Sequence, residues 1–274
     1  MRFSTLLLGG LMLAATTPAF AQDTAPPEPI TVSGSVAVLT DYRLRGISQT
    51  NRNAAVQGAL TVAHESGFYI GTFASNLAGW GTFGGANLEL DAIGGYKTTV
   101  GSATVDAGVT WYTYPGGASE SDVVEFFSRL SGVAGPATLT AGVYYAPKQT
   151  SLGNFSNTPF SRGQRQHNVY LTGDGVVAVP NTPVTLKAHI GYSDGNPGLG
   201  PNGTSLAPTG EYWDWGVGAD VVAYKNLTFN VSYIDTDITR AESAYLQPNF
   251  SKFQEPGGKS IANGTVLFSL TAAF

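Results

Sequence analysis

The chain has 274 residues, of which 42% are hydrophobic and only 12% charged, and its formal net charge is −5. The negative charge and the lack of a basic stripe argue against a nucleic-acid partner, and the many aromatic residues argue against disorder. Because the chain has no cysteine, neither disulfides nor thiolate metal sites are available to it.

The N-terminus has the pattern of a cleaved signal peptide over residues 1–21. Arg2 supplies the positive charge, an apolar stretch runs from Leu6 to Ala15, and Ala19-Phe20-Ala21 forms a small-x-small cleavage site. A short membrane anchor is the alternative, but the apolar stretch is well below the ~20 residues of a spanning helix. Residues 22–30 are proline-rich and predict a flexible lead-in to a single domain over residues 31–274.

From residue 32 onward, apolar and polar residues alternate in one segment after another. In 32–46, Val36, Val38 and Leu44 occupy even positions, whereas Ser33 and Ser35 occupy odd ones. Successive side chains of a strand point to opposite faces, so this pattern predicts strands with one apolar face. Twelve segments qualify: 32–46, 56–64, 68–76, 88–97, 104–114, 123–130, 138–145, 167–174, 184–193, 212–222, 227–233 and 265–274.

The connections between these segments alternate in length. Short turns follow the even-numbered segments up to the tenth, and longer loops follow the odd-numbered ones, with the first loop (47–52) the shortest of its set. Segments of ~10 residues, short turns at one end and long loops at the other are typical of transmembrane barrels. We therefore predict an all-β fold, an antiparallel up-and-down transmembrane β-barrel of twelve strands.

Aromatic residues near the segment ends predict a girdle at the membrane interface. The candidates are Tyr42, Tyr96, Trp111, Tyr192, Trp213 and Phe274. The alternative is a soluble β-sandwich or a lipocalin-like barrel. It is disfavoured because the polar faces here carry Ser, Thr, Gly, Asn and Tyr with few charges, whereas a solvent-facing surface would carry many Lys and Glu.

The sparse charges fall on the polar face, which in a membrane barrel faces the lumen. A lipid-facing arginine at the bilayer midplane would cost roughly 2–4 kcal/mol, so Arg43 and Arg45 are expected inside. Two roles stay open for this pair: attraction of anions at the outer mouth, or pairing with carboxylates that braces the wall. The candidate lumen residues are Asp41, Arg43, Arg45, Glu89, Asp91, Asp106, Glu125, Arg129, Lys187, His189, Asp214 and Asp220.

The segment with these arginines resembles the N-terminal signature of the TorF family of porins. The matching stretches are TDYRLRGISQ (Thr40–Gln49), AVQG (Ala55–Gly58), GFYIG (Gly67–Gly71) and, further on, LELDAIGGYK (88–97). The resemblance implies an outer-membrane barrel in a Gram-negative bacterium and a channel, without a known substrate. The terminal Phe274 is similar to the C-terminal aromatic residue by which the barrel-assembly machinery recognises outer-membrane proteins.

Three function classes follow from these patterns. The first is a passive channel for small hydrophilic solutes or ions, because twelve strands leave an intermediate lumen that long loops can narrow. The second is a non-conducting structural or adhesive barrel. The third, an outer-membrane hydrolase, is disfavoured because the chain has three histidines and no Gly-x-Ser-x-Gly motif. No cofactor motif and no metal-ligand spacing is present, so the expected partners are membrane lipid and small solutes.

Overall fold

The alternating segments fold into twelve antiparallel strands of one closed barrel. The structure is a computed structural model that describes residues 29–82, 84–154, 165–195, 211–239 and 260–274. The predicted signal peptide (1–21) and nearly all of the predicted lead-in (22–30) lie outside the described residues.

The strands have the following bounds. Those of the barrel are β1 (Ile30–Leu39), β4 (Ala55–His64), β5 (Phe68–Asn76), β6 (Leu88–Val100), β7 (Ala103–Thr113), β8 (Val123–Ala134), β9 (Ala137–Gln149), β10 (Gln166–Ala178), β11 (Val184–Asp194), β12 (Glu211–Tyr224), β13 (Leu227–Thr236) and β14 (Thr265–Ala273). Two short strands, β2 (Arg43–Leu44) and β3 (Ile47–Ser48), form a separate pair. A 3₁₀ turn (Gly79–Thr82) and a one-turn helix α1 (Thr150–Asn154) lie in the connections. Neither of these helices, among the described residues, is long and apolar enough to cross a membrane.

Each barrel strand pairs antiparallel with its neighbours along the chain, and β1 closes the ring by pairing with both β4 and β14. In that closure Val36 lies opposite Gly58 on one side and opposite Ala272 on the other. Closure gives every barrel strand a neighbour on both sides, so no strand is an edge strand. The predicted fold class, an up-and-down barrel of twelve strands, is confirmed.

The burial of the side chains is inverted relative to a soluble domain. Leu60 and Val217 on the outer surface are 41% and 58% exposed, whereas Asp106 and Asp220 inside the barrel are 7% and 2% exposed. Alternation of apolar and polar residues thus places the apolar side chains outside and the charged ones inside. In the described strands, the large apolar side chains face outward and do not pack into the two-sheet core that a soluble sandwich would need.

The two ends of the barrel differ in their connections. Turns such as Gly101–Ser102 and Lys225–Asn226 join strands at one end, here called the short-turn end. The opposite long-loop end carries the connection from β1 to β4, which spans 40–54. This connection is longer than predicted, because β1 ends at Leu39 and does not continue to residue 46. After Thr40 the chain turns into the barrel and bonds to itself, with the backbone N–H of Gln49 donating to the carbonyl of Tyr42 at 2.7 Å.

Candidate functional site

The first long-loop connection folds into the barrel and forms the feature around which the candidate site is built. Residues 41–50 are all buried, and β2 and β3 pair within this stretch, with Leu44 opposite Ile47. Between them Arg45 and Gly46 have φ of 50° and 79°, as a two-residue type I′ turn requires. We call residues 41–50 the inner hairpin.

Asp41 holds the inner hairpin together at its base. Its carboxylate accepts hydrogen bonds from Arg43 Nε at 2.8 Å, from Thr50 Oγ1 at 3.1 Å, and from the hydroxyl of Ser48. Arg43 also donates to the backbone carbonyl of Asn263 at 3.0 Å, near the end of the last long connection. The ion pair of Arg43 and Asp41 is therefore internal to the hairpin and does not involve the strands of the barrel.

Apolar side chains pack around the hairpin and close the long-loop end. Tyr42, Leu44 and Ile47 of the hairpin belong to one buried cluster. Its other members come from the wall and from the remaining connections: Ala55, Phe73, Leu77, Trp80, Ala86, Tyr112, Tyr114, Val123, Ala146, Leu152, Tyr212, Ile238, Ile261 and Ala262. The barrel is thus filled at this end by a conventional hydrophobic core, made between a loop and the inner wall.

Tyr42 illustrates how the hairpin contacts the wall. The prediction that Tyr42 belongs to an outer aromatic girdle is wrong, because it is 1% exposed and lies inside the barrel. Its ring meets Phe73 edge-on at 6.0 Å, and its hydroxyl donates to Glu89 Oε1 at 2.8 Å. Burial, followed by the nearby carboxylates of Glu89 and Asp91, raises the pKa of Tyr42 well above its ordinary value, so the phenol remains a hydrogen-bond donor.

Arg45 at the tip of the hairpin reaches the opposite side of the lumen. Its Nη2 lies 2.6 Å from Glu125 Oε1 on β8, and its Nη1 donates to Asn168 Oδ1 on β10 at 2.7 Å. The guanidinium carbon lies 4.1 Å from the ring centroid of Tyr170 and 5.9 Å from that of Tyr144. Burial lowers the pKa of Arg45, but Glu125 together with the nearby Tyr112 and Tyr170 outweighs burial, so the pKa lies above its ordinary value.

Below the hairpin, towards the short-turn end, ion pairs line the inner wall. Arg129 on β8 pairs with Asp106 on β7, and the hydroxyl of Tyr69 donates to the same carboxylate at 2.7 Å. Lys187 on β11 pairs with Asp220 on β12, and Asp220 also accepts a hydrogen bond from the side-chain amide of Asn230 on β13. These pairs join neighbouring strands across the inner face. In this part of the lumen, positive side chains therefore largely neutralise the negative ones.

His189 forms a second kind of contact in this region. Its Nδ1 lies 2.7 Å from Asp174 and its Nε2 lies 3.1 Å from Asp214 and 3.0 Å from the hydroxyl of Tyr170. The side chains of His189 and Asp174 are 16% and 33% exposed, so solvent reaches this contact. No group of three or more potential metal ligands occurs in the described part of the chain.

The interior contains more carboxylates than cations near the hairpin. Glu89 and Asp91 lie on the same face of β6 and are 0% and 4% exposed. Neither carboxylate forms an ion pair among the described residues, whereas Glu125 is paired with Arg45. The inner wall around the hairpin is therefore acidic, and the hairpin contributes the arginine that partly neutralises it.

The side chains of all twelve candidate lumen residues lie on the inner side of the barrel. Arg43 and Arg45 lie there as part of the inner hairpin, whereas the prediction placed them on the first strand. Arg43 pairs with Asp41 within the hairpin, and Arg45 pairs with Glu125 on the wall. Further inner residues occupy inward-facing positions of the predicted strands, and this position is the signal by which the sequence could identify them: Tyr69, Tyr112, Tyr144, Asn168, Tyr170, Asp174 and Tyr212.

Five of the candidate girdle residues are on the outer surface. Trp111 and Trp213 are 50% and 46% exposed near the long-loop end, where Tyr192 packs on Trp213 at 4.8 Å between ring centroids. Tyr96 and Phe274 lie near the short-turn end and are also exposed. The two groups thus lie at opposite ends of the apolar surface.

Comparisons with known proteins give a family and a fold. The sequence model described as "Bacterial protein of unknown function (Gcw_chp)" matches residues 23–274. The structure is similar to that of the NanC porin, with a TM-score of 0.53 and 9% identity over 89% of this chain and 99% of that one. It is similar to the KdgM porin to the same degree, with a TM-score of 0.53 and 8% identity over 88% and 99%. At such low identity these likenesses show the fold alone. No curated protein matches the chain.

Proposed function

This chain belongs to the Gcw_chp family of bacterial proteins of unknown function, and we propose that it is an outer-membrane channel gated by its inner hairpin. The channel passes small hydrophilic solutes or ions when the hairpin leaves the lumen. The observation that carries this proposal is the inverted wall, which is apolar outside and charged inside. Its long-loop end is closed by a loop and not by the wall itself.

The outer surface supports a location in a membrane. Large apolar side chains such as Val36, Ile70 and Val143 are 50–67% exposed, and they extend around the closed ring. Soluble proteins rarely expose contiguous apolar patches above a few hundred Å². The aromatic side chains at the two ends suit the two interfaces of a bilayer. With the predicted signal peptide and the terminal Phe274, these features favour the outer membrane of a Gram-negative bacterium and delivery by the barrel-assembly machinery.

The inner wall supports conduction. Ion pairs such as Arg129–Asp106 and Lys187–Asp220 line the inner wall below the hairpin, next to a cluster of buried aromatic side chains that includes Phe127. A barrel that served only as a scaffold could fill this space with apolar side chains, and burying charges there would only add desolvation cost. Barrels of intermediate size have room for a narrow aqueous path. The TorF resemblance supports the same reading.

A non-conducting structural or adhesive barrel is the second candidate. The observation in its favour is the packing of the inner hairpin, whose residues 41–50 are all buried in the long-loop end. An enzymatic role is the weakest candidate. Both ring nitrogens of His189 are engaged by Asp174, Asp214 and Tyr170, and no serine or threonine hydroxyl is among these hydrogen-bond partners in the described structure.

Replacing the inner hairpin distinguishes the two main candidates. Leu39 and Ala55 are directly opposite each other in β1 and β4, so a short Gly-Ser linker in place of residues 41–53 joins the strands without strain. We expect the linker variant to conduct steadily in planar bilayers at several times the level of the unmodified protein. Heat-modifiable electrophoretic mobility must first show that the variant is folded. A folded variant that conducts no current would favour the structural barrel.

A further inference from the structure

We propose that Arg45 occupies a binding site for organic cations, which becomes available to guanidinium- or ammonium-bearing solutes when the inner hairpin moves. The site, called here the cation pocket, consists of Glu125, Tyr144, Asn168 and Tyr170. As a statement about permeating solutes, the proposal rests on the proposed channel function. As a statement about binding, it concerns the inner wall alone.

The geometry of the cation pocket is that of a receptor for a planar cation. Glu125 supplies a carboxylate oxygen at 2.6 Å and Asn168 an amide oxygen at 2.7 Å, each to a different guanidinium nitrogen. The ring of Tyr170 lies beneath the guanidinium at 4.1 Å, with Tyr144 at its side. Charged hydrogen bonds and aromatic faces are the means by which proteins bind guanidinium and alkylammonium ions.

The pocket is held in shape by contacts within the wall. Tyr112 donates to the second oxygen of Glu125 at 3.1 Å. Asn168 donates through Nδ2 to Ser193 at 3.0 Å, which leaves Oδ1 directed at the cation. The hydroxyl of Tyr170 donates to Asp214 at 2.9 Å. Since these partners all lie on barrel strands, the pocket is preorganised for a cation whether or not Arg45 is present.

If the hairpin left the lumen, the pocket would lose its cation and keep its carboxylate. With the hairpin in place the side chain of Glu125 is 1% exposed; once Arg45 left, Glu125 would keep the hydrogen bond from Tyr112 but would lose its counter-charge. A solute cation would replace the lost ion pair. Arg43 does not have this property, because its carboxylate partner Asp41 is in the hairpin and would move with it. Arg45 therefore acts as a tethered competitor for the pocket.

The composition of the pocket favours an organic cation over a metal ion. It offers one carboxylate and one amide oxygen, whereas Ca²⁺ takes six to eight oxygen ligands. Two of its four members present aromatic faces, which suit weakly hydrated cations such as guanidinium. The neighbouring carboxylates of Glu89 and Asp91 add attraction for a cation approaching along the lumen.

The test uses methylguanidinium chloride on the full-length barrel in detergent, with sodium chloride at equal ionic strength as the reference. Arg45→Asn removes the tethered cation, and asparagine tolerates the positive φ of this position. We expect the variant to unfold at a lower temperature than the unmodified protein, and millimolar methylguanidinium to raise its melting temperature by roughly 5 °C at saturation. Arg43→Asn should show no such rise.

The double variant Arg45→Asn/Glu125→Gln should also show no rise, because it lacks the carboxylate of the pocket. A rise that sodium reproduces, or one that persists in the double variant, would overturn the proposal. This readout requires no conduction, so its outcome is independent of whether the barrel is a channel.

A second measurement applies if Arg45→Asn does not fold. The chain has no cysteine, so Leu44→Cys in the otherwise unmodified protein gives a single label site that is buried while the hairpin is in place. Methylguanidinium should displace Arg45 and accelerate labelling of this cysteine by a maleimide about tenfold, a 1.4 kcal/mol change in the opening equilibrium. Labelling at the same rate with methylguanidinium as with sodium would refute competition for the pocket.

Discussion

Gly46 offers a direct test of whether the hairpin tip is held against the inner wall at β12 and β13. Its φ is +79°, and a Cβ at this position would lie 2.3 Å from Cγ2 of Thr236 and 3.0 Å from Cβ of Asp214. Alanine in a left-handed conformation costs ~1–2 kcal/mol, and overpacking a filled site adds ~1–3 kcal/mol. Gly46→Ala should therefore disfavour the inward position of the hairpin by about 2–5 kcal/mol.

The matched control is Gly116→Ala. Gly116 has a similar φ of +82°, but a Cβ there would meet nothing within 4 Å, so this variant has the backbone strain without the clash and without any effect on the hairpin.

Trypsin provides the assay, because Arg43 and Arg45 are buried while the hairpin is in place. Cleavage tracks the population of the open form when opening is fast, and a shift of 2 kcal/mol or more raises that population by roughly 30-fold or more. Gly46→Ala should be cut in the hairpin at least that much faster than either the unmodified protein or Gly116→Ala, with all three folded by heat-modifiable mobility. Equal cleavage rates in the three proteins would refute the placement of the tip against Thr236.

Two further predictions concern the wall. Val217→Arg, at the centre of the outer surface, should lower the free energy of unfolding in lipid vesicles by ~2–4 kcal/mol, whereas Val100→Arg at the short-turn end should lower it by only ~0–1 kcal/mol. Urea unfolding measures both values, and equal losses would contradict a bilayer around this surface. In the barrel whose hairpin is replaced by the linker, carboxylates in a narrow lumen favour cations. Glu89→Gln/Asp91→Asn should therefore move the reversal potential, measured in a salt gradient, away from the value of a perfectly cation-selective pore. An unchanged reversal potential would show that these two side chains do not face the ion path.

The wall of the barrel was predictable from the sequence because its signal is local. Each strand carries its own alternation; Asp106, for example, shares the inner face with Thr104 and Gly108, two positions before and after it. The turn positions and the strand count follow from the same pattern. The inward position of most candidate lumen residues required no knowledge of which strands are neighbours.

The sequence alone could not locate the end of β1. Alternation continues through Tyr42 and Leu44, so the segment 40–46 is indistinguishable from a longer strand by periodicity. Its turn depends on Arg45 and Gly46, a pair without the asparagine or aspartate that usually marks a type I′ hairpin. Because of this ambiguity, the pattern predicts Tyr42 on the outer surface and the two arginines on the wall.

By itself, the sequence determined a closed wall with one apolar and one polar face, because side-chain direction in a strand is fixed by position parity alone. Only the tertiary structure decided that the first loop enters the barrel. The contacts that hold it there join Arg45 to Glu125 and Asn168, which are 80 and 123 residues away along the chain. Such contacts exist only after the ring has closed, and no local pattern specifies which residues will face one another across the lumen.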